Sequence, residues 1–180
     1  KESVVGLTEW ASRSNAGANL QPRSSSYATL RLPLINSAIK EINMDAYSLA
    51  LIASATFFLA GLVLGVWKFR GMATSADGLA HPYIDTAHRA ALMYAFATVM
   101  IAVFVQVSQL SAQLELFAVS LLVAYFAIAI MTYVVHGWKK DTDNQVRNMG
   151  AAANVFMWSL VAAEIGGFLI IFYGLVTALI

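Results

Sequence analysis

The chain has 180 residues, of which 59% are hydrophobic and only 12% charged. A soluble domain carries about 25% charged residues, so this composition excludes that class. A net charge of +1 without basic-aromatic interleaving excludes a nucleic-acid partner, and the absence of cysteine excludes disulfides and thiolate metal sites.

Residues 1–45 differ from the remainder. The stretch KESVVGLTEWAS offers Val4, Val5, Leu7 and Trp10 as one apolar side of a short amphipathic turn or helix. RSNAGANLQPRSSS is too rich in Ser, Asn and Gly to bury the apolar surface that ordering requires. LPLINSAIKEI reads as a short interfacial helix leading to Asp45, the expected N-cap of the first span. The region is therefore expected to be a mostly irregular arm. If it is ordered, a partner chain must hold it, because four thin helices offer it little surface.

The rest, 46–180, reads as an all-α, integral membrane four-helix bundle. No charge falls between Asp45 and Lys68, between Arg89 and Glu115, or between Glu115 and His136. A membrane-crossing helix needs roughly 20 consecutive apolar residues, and four runs meet that length: about 46–67, 90–111, 114–137 and 152–178. The 1–2 loop carries Lys68, Arg70 and Arg89, and the 3–4 loop carries Lys139, Lys140 and Arg147, whereas the 2–3 connection carries no basic residue. The positive-inside rule places the two basic loops on the cytoplasmic (or matrix or stromal) side. Arg31 and Lys40 in the arm pull the other way.

Gly61 and Gly65 on span 1 make a GxxxG step, which lets helix backbones approach closely in a bilayer. Trp67 and Trp138, each followed by lysine, read as interfacial anchors. At the start of span 2 the sequence is HPYIDTAHRAALMYAF, which holds His81 and His88 with Asp85 between them. Pro82 fixes His81 in the loop, and Asp85 reads as a cap of span 2.

His88 and His136, at the end of span 3, fall on the same side of an antiparallel pair. Steps of three and four from His88 give Ala91, Ala95, Thr98, Ala102, Gln106 and Gln109, a small and polar stripe. From His136 they give Thr132 or Tyr133, then Ala129 and Tyr125. Such stripes face the protein interior, because lipid offers polar groups no partner. Two neutral imidazoles on adjacent helices suit axial ligation of a haem iron, or are polar caps at the interface.

Glu164 lies near the middle of span 4, where a charged side chain costs about 2.5–3.5 kcal/mol. Two readings stand. It is a neutral carboxyl bonded to a neighbouring helix, or it handles a proton or a ligand. Its face also carries Met157, Leu160, Gly167, Ile171 and Gly174. The segment KKDTDNQVRN reads as a solvated or partner-facing loop, and its Asp141 and Asp143 match only a fragment of a calcium loop. No phosphate loop, nucleophile elbow or pair of carboxylates at catalytic spacing appears in the sequence.

At AHRAALMYAF, followed by LSAQLELF, the chain over about 44–180 resembles the four-span family of hydroxylaminobenzene mutase and styrene oxide isomerase. The matching features are Ala87-His88 and Leu110-Ser111. The resemblance implies a membrane isomerase, and in its epoxide branch a haem b ligated by His88 with Tyr125 as the counterpart of a third-span tyrosine. Where that family continues with glycine and then an Asn-Gly pair, this chain has Arg89, Tyr94 and Ala95.

Two functions follow from this reading. One is an accessory, non-catalytic subunit of a larger, energy-transducing membrane complex, respiratory or photosynthetic, docked on neighbouring subunits and holding lipid or pigment. The other is a small homo-oligomeric isomerase binding haem b through His88, with Glu164 or Tyr125 near the substrate.

Overall fold

A computed structural model describes residues 45–147 and 149–180. The expected arm over 1–45, its two short helices and its docking on a partner lie outside the described residues, apart from Asp45. Four helices follow in order: α1 (Ala46–Thr74), α2 (Pro82–Val107), α3 (Ala112–Lys139) and α4 (Ala151–Leu179). All four are long and apolar enough to cross a membrane. The chain is an all-α integral membrane protein with four spans.

The first two starts have a local cause. Asp45 caps α1 as expected, its Oδ1 accepting from the Ser48 N–H at 2.7 Å. The cap of α2 is His81 rather than Asp85: its Nδ1 accepts from the Tyr83 N–H at 3.3 Å, and Pro82 takes the first helical position. A proline there lacks an N–H that would have had no partner, so the helix begins eight residues before the apolar run does. Asp85 instead lies in the first turn and faces α1.

Two spans thus depart from their apolar runs, and α2 does so at both ends, stopping four residues short of the run's end. α1 continues seven residues past Trp67, through Lys68 and Arg70. At 29 residues it is about 43 Å long, more than the roughly 30 Å hydrocarbon core. Charge ends the apolar run, but intrahelical hydrogen bonds hold the helix together beyond it. Between α1 and α2 the chain turns at Gly78, whose φ of 71° is a left-handed conformation that costs glycine little.

α2 and α3 each touch all three other helices, and α1 and α4 do not touch each other. The most extensive seam joins α1 to α2. Ala46, Ala50, Ala53, Phe57, Gly61 and Leu64 are buried along it, recurring at steps of three and four. Ala87, Ala91, Ala95, Thr98 and Ala102 line the buried face of α2, so most of the stripe read from His88 does point inward. Its last two members do not: Gln106 is exposed, and Gln109 lies beyond the helix end at Val107 and is exposed as well.

Small residues let the backbones come close enough for a polar bond between helices. The Ser54 hydroxyl donates to the Ala95 carbonyl at 2.9 Å across the seam, a type of contact worth about 0.6 kcal/mol in a membrane. The opposite faces carry Leu59, Leu62, Met93, Phe96 and Met131, all exposed to where lipid lies.

α4 is the least covered helix. Only Ala163, Gly167, Ile171 and Gly174 are buried on it, on the face expected for Glu164.

Candidate functional site

Glu164 projects from α4 toward the junction with α2 and α3. The Tyr94 hydroxyl on α2 donates to its Oε1 at 3.3 Å. Tyr94 is fixed for this contact by its ring, which stacks on Phe126 of α3 with centroids 4.1 Å apart and planes 12° apart. Thr98, one turn along α2 and buried, donates back to the Tyr94 carbonyl at 2.5 Å. Three helices thus meet at one carboxyl. Beside it an open groove of about 280 Å³ runs between Met100, Leu122, Phe126 and Phe168. A carboxyl in such a place holds a proton or a hydrogen bond; its surroundings supply no counter-charge among the described residues.

A second polar group gathers at the end of the bundle that carries the basic residues. Tyr83 is its hub. Its ring lies 5.3 Å from His136, 6.0 Å from Tyr133 and 6.1 Å from His81. Its hydroxyl accepts from the Gln145 N–H at 2.5 Å, which ties the α3–α4 loop to α2. His136 Nδ1 faces Asp141 Oδ1 at 2.8 Å, and the His136 partner holds the Asp141 carboxyl below the usual carboxylate range. The loop read as solvated is therefore anchored at two points.

His88 belongs to neither group. Its Nδ1 lies 2.8 Å from the Gly61 carbonyl on α1, and since a carbonyl only accepts, the proton is on Nδ1. The ring fills the notch above Gly65, where a Cβ would come within 3.0 Å of its Cε1. The GxxxG step read from sequence thus receives a histidine and, at Gly61, Leu92. Among the described residues no hydrogen bond or ring contact joins His88 to His136.

Tyr125 faces a different seam again. Its hydroxyl donates to Ser159 on α4 at 3.4 Å, and Ser159 donates to the Phe156 carbonyl at 2.7 Å. His88 is turned to α1 and Tyr125 to α4, so the two do not fit as a pair on one haem iron. Among the described residues no group of three or more His, Asp or Glu stands close enough to hold a metal ion.

The chain matches no protein-family model, and no curated protein or solved structure is similar to it.

Three features escaped the sequence reading. Asp85 bridges Lys68 of α1 at 2.5 Å and Arg89 of its own helix at 3.0 Å. Residue spacing signals only the second of these, at i and i+4. Tyr83 and Tyr94 are the hubs of the two polar groups. They lie eleven residues apart on α2, three turns on one face, and that spacing was available to find them. His81 caps α2 besides ending a loop.

Proposed function

We propose that this chain is an accessory, non-catalytic helical subunit of a larger membrane complex, energy-transducing in character, with its basic loops on the cytoplasmic, matrix or stromal side. The observation that supports it is the dispersal of the candidate side chains. His88 is engaged at the α1–α2 seam, Tyr125 at α3–α4, Glu164 at α2–α4 and His136 with the loop. Each polar group fastens neighbouring segments together, and among the described residues no two converge on a common reacting position. In this reading the thinly covered α4, with Trp158 and Ile165 exposed and open space beside Gly166, is the face that meets other subunits. A photo-crosslinking residue in place of Ile165, introduced in native membranes, should give adducts of defined mass with other membrane chains. Adducts with lipid or with a second copy alone would overturn the proposal.

A second reading, a small membrane isomerase holding haem b through His88, draws on one feature. A histidine whose Nδ1–H is held by a backbone carbonyl leaves Nε2 as its acceptor, the orientation ligating histidines use. Oxidised and reduced absorption spectra of the isolated chain separate the two. A Soret band lost in His88→Ala favours the isomerase; a colourless folded chain favours the subunit.

A further inference from the structure

A large open groove of about 1210 Å³ lies at the basic end of the bundle, between α1, the α1–α2 turn, the start of α2 and the end of α3. It exceeds the roughly 300–1,000 Å³ of ordinary small-molecule pockets, and its two ends differ in chemistry. Val63 and Val66 line the deeper part, on the apolar side of Trp67, a residue type that marks the membrane interface. Ile84 lies beyond Trp67, next to the Asp85 that pairs with Lys68. Arg70, three residues beyond Trp67, and Lys140 line the outer part. Val63 and Arg70 are seven residues apart on α1, about 10 Å along the axis.

The two cations are unspent among the described residues. Lys68 and Arg89 pair with Asp85, and Arg147 with Asp143, but neither Arg70 nor Lys140 makes an ion pair among the described residues. Lys140 also holds a left-handed backbone, with φ 52°. It ends α3 by returning its N–H to the His136 carbonyl at 2.8 Å. Glycine or asparagine ordinarily takes that position, so a lysine there places a charge at the groove against local preference. One acid, Asp77, also lines the groove, but the Ser75 hydroxyl and the Leu79 N–H engage its carboxylate within its own turn.

We infer that this groove binds an anionic phospholipid, with the phosphate headgroup between Arg70 and Lys140 and an acyl chain against Val63 and Val66. The apolar wall selects a lipid over a free phosphate ester, because a headgroup alone leaves that wall without an occupant. The cationic rim selects an anionic over a zwitterionic headgroup.

Native mass spectrometry of the full chain in mild detergent tests this, with dioleoyl phosphatidylglycerol, dioleoyl phosphatidylcholine and glycerol 3-phosphate as probes. The phosphatidylglycerol should be retained in preference to phosphatidylcholine, and glycerol 3-phosphate should not be retained. Combining Arg70→Gln with Lys140→Gln should weaken phosphatidylglycerol retention roughly thirtyfold, two cations each contributing a surface-charge increment. Asp77→Asn should strengthen it. Gly71→Leu, which narrows the groove without altering charge, should displace the lipid. Lys139→Gln, one residue away and outside the groove lining, should change nothing. Equal retention of the two lipids, or an equal loss in Lys139→Gln, would overturn the inference, as would retention of glycerol 3-phosphate as strong as that of the lipid.

Discussion

The Tyr94 hydroxyl on α2 donates to the Glu164 carboxyl on α4 at 3.3 Å, the one side-chain hydrogen bond joining those two helices among the described residues. α4 is otherwise held by the buried strip of Ala163, Gly167, Ile171 and Gly174 and by the Tyr125–Ser159 hydrogen bond to α3. A mid-membrane acid that would disfavour insertion on its own therefore becomes a fastening for the least covered span. The contact joins the two helices whether or not the carboxyl carries a proton.

Tyr94→Phe keeps the ring stacked on Phe126 and removes the hydroxyl. Stability in detergent should fall by about 0.6 kcal/mol, the average for such bonds in membranes. Glu164→Gln, which keeps an acceptor, should cost less than Glu164→Leu. A double-mutant cycle of Tyr94→Phe with Glu164→Leu should return a coupling of the same size. Simple additivity of the two losses would show that hydroxyl and carboxyl do not act on each other.

The two glycines of α1 should respond according to what faces them. A Cβ at Gly61 would come 2.6 Å from Leu92 Cδ2. Overpacking of that kind costs about 1–3 kcal/mol, against about 1 kcal/mol gained in helix propensity. Gly61→Ala should thus be neutral to destabilising by about 2 kcal/mol. Gly65→Ala presses on the His88 ring instead, and its cost should vanish in a His88→Ala background. Gly166→Ala, which meets nothing within 4 Å, should be neutral or stabilising in the isolated chain. Equal responses at Gly61 and Gly166, read from denaturant unfolding, would remove the close-approach argument.

Asp141 gives the fold an acid limit. Its folded-state pKa lies below the unfolded value, chiefly through the hydrogen bond from His136. Its contribution is present in full above the unfolded pKa of about 3.9 and is lost as pH falls through the folded value. The melting temperature should therefore drop on acidification below about pH 4, and Asp141→Asn should flatten that part of the profile. The same acid limb in wild type and variant would assign it to other carboxyls.

The Lys68–Asp85–Arg89 cluster joins α1 to α2 at a half-exposed position. Asp85→Asn should cost about 1 kcal/mol or less, and high salt should erase the difference, since exposed pairs are weak and screened. A salt-independent loss would point to packing instead.

The chain has no cysteine, so single substitutions report sidedness cleanly. Ala76→Cys in the α1–α2 turn and Thr142→Cys in the α3–α4 loop should react with an impermeant maleimide from one face of oriented vesicles. Gln109→Cys should react only from the other. Labelling of Ala76→Cys and Gln109→Cys from the same face would contradict four crossings.

The number and kind of elements were legible in the sequence because they depend on composition along one dimension. A charge-free run of twenty-odd apolar residues must become a hydrogen-bonded helix in a bilayer, and small residues at steps of three and four must then face neighbours. Asp45 as a cap, the inward alanine stripe of α2 and the close approach at Gly61 and Gly65 all follow from such local rules. The helix ends were less legible, since Pro82 and Lys140 set them through backbone geometry rather than hydropathy. Which polar groups meet was decided only in three dimensions. His88 and His136 share a bundle end and still part, because residues on adjacent helices differ in azimuth as well as depth, and sequence spacing reports azimuth within one helix only. The rotation of α2 turns His88 to the Gly61 carbonyl and Tyr94 to Glu164. The same rotation leaves Tyr83, rather than any histidine, at the centre of the basic end.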